Sequence, residues 1–386
     1  MTVKSAQIKI TEKLPDWGTS IFAIMSKMAV EHNALNLSQG FPDFNCSDEL
    51  LSMLHNFQNK GFNQYAPMPG VLVLRNVISD TIKKVYGRDY NPESEITITS
   101  GATQAIYTAV SCILNKGDEA IVFEPAYDCY APDIEANGGI PIRIPLKKDF
   151  SYDWEEIRKR VNNKTKLMIF NSPHNPSGSL IQKEDIDQLI ELVKGTDILL
   201  ISDEVYEFIV FDNEKHHSFT LYDELYKRSF VISSFGKTFH TTGWKLGYCA
   251  APEYLMKEFR KLHQFVVFSS NTPIQYAYAE YLKDEKKYLN LSDFYQKKKD
   301  LFADEMKKSK FKVLPCKGTY FQLLDYSEIS DKNDMEFTEY LTKEVGIATI
   351  PLSPFYKNGS DEKVIRVCFA KKDEVMVEAA KTLSKL

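Results

Sequence analysis

Four strand-sized apolar runs are each followed by polar residues that could do chemistry. After residues 96–99 comes Ser100-Gly101-Ala102-Thr103, which opens a helix. Free N–H groups and the helix dipole make such a start a place for a phosphate, although small polar residues also serve as simple caps. After 167–170 comes a segment containing Asn175, and after 198–202 come Asp203 and Tyr206. After 230–232 come Ser234 and Lys237, then Lys245. An amide, a carboxylate, a phenol and two ammonium groups thus fall at or just beyond successive strand ends. Ligands of open α/β sheets bind beyond the carboxyl ends of the strands. Five such groups at one edge point to a site rather than to loop composition. Gly236-Lys237-Thr238 is not a nucleotide phosphate loop, because that pattern needs a glycine where Val231 stands. No GxGxxG occurs, so a dinucleotide fold of the usual kind is unsupported.

The elements that must carry these groups alternate strand and helix. Strands are expected at 96–99, 120–123, 167–170, 198–202 and 230–232. Ala102, Ala105, Ile106, Ala109, Val110, Ile113 and Leu114 recur at helical spacing, and Gly117 ends that helix. A second helix is expected at 184–194. This alternation means α/β architecture, a mostly parallel sheet with helices on both faces. After about residue 275 the texture changes to long charged helices (281–309), strands at 311–314, 320–324 and 364–369, a helix near 335–345 and a terminal helix. We expect a large domain of residues 46–275 and a smaller α+β domain of 1–45 with 276–386.

Composition narrows the class. The chain has 386 residues, 43% of them hydrophobic, enough for a sizeable core. The balance of 48 basic and 53 acidic residues, with pI near 5.9, argues against nucleic acid or an anionic membrane as main partner. Runs such as LMIF, ILLI and FIVF are strand-sized, far short of a membrane span. The N-terminal stretch shows no apolar core of signal-peptide length, and the six cysteines are scattered without a CxxC pair. A reduced cytoplasm is expected, with no zinc site.

SSFGKTFHTTGWKLGY (233–248) resembles the cofactor-lysine segment of class I/II pyridoxal-phosphate aminotransferases of fold type I. HNPSG (174–178), DEVY (203–206), SGAT (100–103), LSQGFPDF (37–44) and NQYAPMPG (63–70) agree with it. The resemblance runs from about Trp17 to Arg366. Within the family it is closest to the kynurenine/glutamine/methionine branch, supported by EPAYDCY (124–130) and His263-Gln264.

The resemblance implies pyridoxal 5′-phosphate as cofactor and gives the residues roles. Lys237 would hold it covalently, and once freed its amine would act as base at the substrate Cα. Asp203 would keep the pyridine nitrogen protonated, and Tyr206 and Asn175 would bond the phenolic oxygen. Tyr127 would stack on the ring. The phosphate would meet Gly101, Ala102, Thr103, Ser234 and Lys245, where many relatives carry arginine at the last position. Tyr65 would reach the phosphate of a second subunit, which implies a homodimer with shared sites.

Arg366 would clamp the substrate α-carboxylate, assisted by Gly40 and Asn175. Dicarboxylate-specific members use a second arginine, and none appears around 263–271, where Phe265 and Phe268 stand. Trp17 and Tyr127 would add apolar surface. The expected reaction is transfer of an amino group from a neutral or aromatic L-amino acid (methionine, phenylalanine, tyrosine, kynurenine or glutamine type) to a 2-oxo acid in two half-reactions. The alternative is a carbon–sulfur β-lyase acting on cysteine conjugates from the same residues. A non-catalytic regulator of this fold would need a DNA-binding domain, and only 16 residues precede Trp17.

Overall fold

The computed structural model describes residues 10–386. The first nine, which belong to the expected 1–45 segment and to the stretch lacking a signal-peptide run, lie outside the described residues. Thirteen strands follow in chain order: β1 (Leu35–Asn36), β2 (Ile96–Thr99), β3 (Glu119–Glu124), β4 (Ile140–Pro145), β5 (Thr165–Asn171), β6 (Leu199–Asp203), β7 (Ser229–Ser234), β8 (Gly247–Ala250), β9 (Lys312–Val313), β10 (Phe321–Asp325), β11 (Ile347–Ala348), β12 (Ile350–Pro351) and β13 (Val364–Cys368). Seven of them form one sheet in the order β2-β8-β7-β6-β5-β3-β4. Its pairs are parallel except those of β8, which runs antiparallel to both β7 and β2.

Apart from the edge strand β4, the strands of this sheet are buried on both faces, which explains their apolar runs. Val122, Ile169, Ile201 and Phe230 pack on one face with Ala105, Ile106 and Phe259. Ile121, Met168, Phe170 and Val231 pack on the other with Ile186, Leu189 and Phe219. The strand period of two sends neighbouring residues to opposite faces. Each such buried side chain contributes about 1.5–3 kcal/mol. The helix Lys183–Val193 starts with a capping box between Gln182 and Asp185, and its buried Ile186, Leu189 and Val193 follow helical spacing.

The C-terminal part builds a four-stranded antiparallel sheet, β12-β13-β10-β9. A short parallel pairing of β1 with β11 ties the N-terminal segment to it. Its core includes Tyr295, Phe302, Phe321 and Val367, and continues to Val205 and Tyr206 just beyond β6. The end of β6 therefore sits where the two sheets meet.

Most expected elements lie within a residue or two of the observed ones. The differences have local reasons. Strand β8 was not anticipated, because GYCA is short and small and reverses direction after the Lys245 turn. The strand β4 begins and ends at the surface and lacks an apolar run. The charged helical region 281–309 divides into Lys286–Leu289 and Leu291–Met306.

Candidate active site

A cavity of roughly 380 Å³ opens where the carboxyl ends of β5, β6 and β7 face the C-terminal sheet. It is lined by Gly40, Gly101, Ala102, Thr103, Tyr127, Asn175, Asp203, Tyr206, Ser234, Lys237, Lys245 and Arg366. Twelve of the fourteen residues singled out from the sequence are thus brought together. Trp17 and Tyr65 are not.

Asp203 ends β6 and is buried. Burial pushes its carboxyl up to about 6, against the pull of the Tyr130 hydroxyl and the Val205 N–H. Tyr130 donates to Asp203 Oδ2 at 2.6 Å from full burial, a contact the sequence did not reveal. Lys237 sits on the single turn Phe235–Thr238 that follows β7. Burial pushes its amine down to about 8. Nζ donates to the Gly40 carbonyl at 3.0 Å and lies 5.6 Å over the Tyr206 ring.

The chain then turns back through Lys245, whose φ of 52° is left-handed, into β8. This reversal brings Lys245 to the N-terminus of the helix Ala102–Ile113. Gly101 has φ 80°, and a Cβ there would lie 3.5 Å from Lys245 Nζ. A Cβ at Gly247 would lie 2.5 Å from the Ser233 carbonyl oxygen and 3.3 Å from the Ala102 nitrogen. Glycine at both positions leaves a cradle of backbone N–H groups, the Ser234 hydroxyl and an ammonium. That donor set fits a phosphate.

Arg366 comes from the middle of β13, opposite Leu323 of β10. It is wholly buried, and its Cζ lies 3.9 Å from the Phe321 ring centroid. Nη1 donates to Asn175 Oδ1 at 2.7 Å and Nη2 to the Ser38 carbonyl at 3.1 Å. Nε is buried with no partner. A buried guanidinium without a carboxylate on it is costly unless a ligand supplies one. Asn175 is held in turn by its N–H on Asn171 Oδ1 at 2.8 Å.

The cavity brings together the backbone N–H cradle, the buried Asp203 carboxylate, the Lys237 amine and the Arg366 guanidinium. Residues 32–383 match the family model for aminotransferase class I and II. The chain belongs to that family. Its members depend on pyridoxal phosphate, and the residues lining the cavity fit that group. This aminotransferase is 46% identical over 97% of both chains to the methionine aminotransferase of Escherichia coli. It is 34% identical to a kynurenine–oxoglutarate transaminase of Dictyostelium discoideum, over 98% of this chain and 96% of that one. A crystal structure from Escherichia coli, described as having a methionine aminotransferase function, superposes with TM-score 0.96 at 45% identity, covering 98% of this chain and 100% of that one. The fold is the fold type I α/β architecture.

Trp17 stands outside the cavity. Its indole N–H donates to Glu135, and the Arg143 guanidinium lies 5.7 Å from its ring. The aromatics that the N-terminal segment contributes are Phe41 and Phe22, the latter on the helix Ile21–Glu31 capped by Ser20. Phe22 packs edge-on to Phe355 at 5.8 Å, lies 6.5 Å from Tyr127, and has the Arg366 guanidinium 5.2 Å from its ring. No strand precedes this helix to fix which aromatic turns inward, and the resemblance alone pointed to Trp17. Tyr65 is 80% exposed and packs against Phe268, with ring centroids 5.1 Å apart.

The Tyr130 contact carries a prediction. Removing its hydroxyl by Tyr130→Phe leaves the Val205 N–H as the remaining direct donor to Asp203. The Asp203 carboxyl then protonates at higher pH. Cofactor affinity, measured by equilibrium dialysis across pH, is expected to fall off about one pH unit earlier on acidification than in wild type. Superimposable profiles would remove Tyr130 from this role.

Proposed function

We propose that the enzyme transaminates neutral, apolar or aromatic L-amino acids, with methionine-type donors foremost. The observation that carries this is the cavity wall. Phe22, Phe41, Tyr127 and Phe321 line it, and Arg366 is the one arginine in the lining. A side-chain carboxylate entering that wall would lose its water without gaining a guanidinium, a cost of a few kcal/mol at least. The activity of the bacterial relative named for methionine supports the same choice. In steady-state assays, kcat/KM for methionine or phenylalanine is expected to exceed that for aspartate by about a hundredfold or more. Equal values would sink the substrate assignment.

Pyridoxal phosphate, when bound, supplies an aldehyde for amine exchange and a ring that accepts electron density from the substrate Cα. Everything else falls to the chain. Gly101, Ala102, Thr103, Ser234 and Lys245 would hold the phosphate. Asp203 would favour a protonated ring nitrogen, Tyr206 and Asn175 would hydrogen-bond the phenolic oxygen, and Tyr127 would stack on the ring. Arg366, with Asn175 and Gly40, orients the α-carboxylate so that Cα faces Lys237. The Lys237 amine, when free, would take the Cα proton and hold it for transfer. The reverse sequence returns the amino group to a 2-oxo acid. Because only the neutral amine can accept a proton, kcat is expected to rise with pH through a midpoint near 8 and flatten above it.

The same reading divides the chain into a large domain of residues 46–275 and a small one of 1–45 with 276–386, supported by the two sheets and by the β1–β11 pairing. It makes the active unit a homodimer. Exposed Tyr65, Phe265, Val266 and Phe268 support this, because lone chains rarely leave such apolar surface uncovered. With Tyr65 acting on the neighbouring site, a heterodimer of Tyr65→Phe and Lys237→Ala subunits holds one wild-type site. Activity above that of either parent is expected in purified heterodimers, and none would exclude sharing. A cytoplasmic location agrees with six free cysteines, and among the described residues no helix is long and apolar enough to cross a membrane.

A further inference from the structure

The Gly40 carbonyl receives two donors. Lys237 Nζ lies 3.0 Å from it and Tyr320 Oη 2.6 Å. Tyr320 immediately precedes β10, is wholly buried, and packs edge-on to the Tyr206 ring at 5.2 Å. Lys237 Nζ also lies 5.7 Å over the Tyr320 ring. The carbonyl cannot easily swing away. A Cβ at Gly40 would lie 2.9 Å from Phe321 Cζ, so this backbone runs hard against the residue after Tyr320. On its other side the segment is pinned by Lys371 Nζ on the Phe41 carbonyl at 2.9 Å.

A carbonyl oxygen that holds an amine by hydrogen bond favours the ammonium form, in which all the nitrogen's protons are donors. A hydroxyl already donating to the same oxygen reduces what it can offer. Resting on the assignment of Lys237 as the Cα base, we infer that Tyr320 is a positioning residue for that amine: it occupies the Gly40 carbonyl and so keeps the freed amine neutral and mobile. The charged and titratable groups that also face Lys237 are Asp203 at the end of β6, Lys245 on the following turn, and Arg366 and Cys368 on β13, with the Tyr206 ring beneath its Nζ. Of these groups and Tyr320, Tyr320 alone shares the lysine's acceptor.

Tyr320→Phe keeps the ring and removes the donor. Competitive acetylation of the full-length, cofactor-free protein with acetic anhydride across pH, read by mass spectrometry on the Lys237 peptide, gives the amine's titration directly. In Tyr320→Phe the midpoint is expected to rise by about one pH unit. The rising limb of kcat against pH in the holoenzyme is expected to move the same way, with KM for methionine unchanged. Tyr295→Phe is the packing control. Its hydroxyl is buried without a partner and its ring lies 5.5 Å from Tyr320, so its loss is expected to leave the midpoint where it was. An unmoved midpoint in folded Tyr320→Phe, or an equal shift in Tyr295→Phe, would overturn the inference. Turnover persisting in Lys237→Ala would overturn the parent assignment instead, and the acetylation result would still report on Tyr320 by itself.

Discussion

Replacing Lys237 with alanine is expected to cut turnover by about ten-thousandfold or more. In the proposed mechanism the side chain has two tasks, holding the cofactor and moving the Cα proton, and no neighbour can take over both. Tyr206 is a phenol held protonated by burial. Asp203 is a buried carboxylate that already accepts from Tyr130. Lys245 stands across Gly101 at the phosphate cradle. The variant is expected to fold, because its amine holds one carbonyl and no ion pair. Circular dichroism should therefore match wild type, while single-turnover spectra should show substrate bound without release of oxo acid. Turnover within tenfold of wild type in a folded variant would place the base elsewhere.

The second large effect is expected at Arg366. Arg366→Ala removes the proposed α-carboxylate clamp and frees the Asn175 amide from its partner. Charge-assisted pairs of this kind are worth about 1.5–3 kcal/mol each, and a bidentate carboxylate makes two. We expect kcat/KM to fall by about a hundredfold or more, for the amino acid and for the oxo acid alike. The symmetry is the diagnostic feature, since the carboxylate is what the two substrates share. Arg366→Lys should recover only part of the loss, because an ammonium cannot make the fork. A loss confined to one substrate would mean that Arg366 reads the side chain rather than the α-carboxylate.

Both residues were legible in the sequence, for different reasons. Lys237, Asp203 and Asn175 each follow a strand, and in an α/β sheet the strand end fixes where the next residues point. Arg366 lies within a strand, and only its match to the family marked it. Its burial and its unpartnered Nε are properties of the packed structure. Tyr130 and Tyr320 were invisible because each acts through a contact with a residue distant in sequence, 73 positions away for Asp203 and 280 for Gly40. Trp17 and Phe22 mark the opposite limit. A segment entering a helix from a coil gives no strand end from which to count, and five residues of difference decide which aromatic lines the cavity. Strand β8 escaped because its pairing is set by the Lys245 turn rather than by an apolar run.

The most direct test of the central claim is the visible absorbance of purified protein before and after adding L-methionine without any oxo acid. The account predicts a yellow band from the lysine-bound cofactor, absent in Lys237→Ala, that bleaches as the amino group passes to the cofactor. Protein that shows no such band after incubation with pyridoxal phosphate would contradict it.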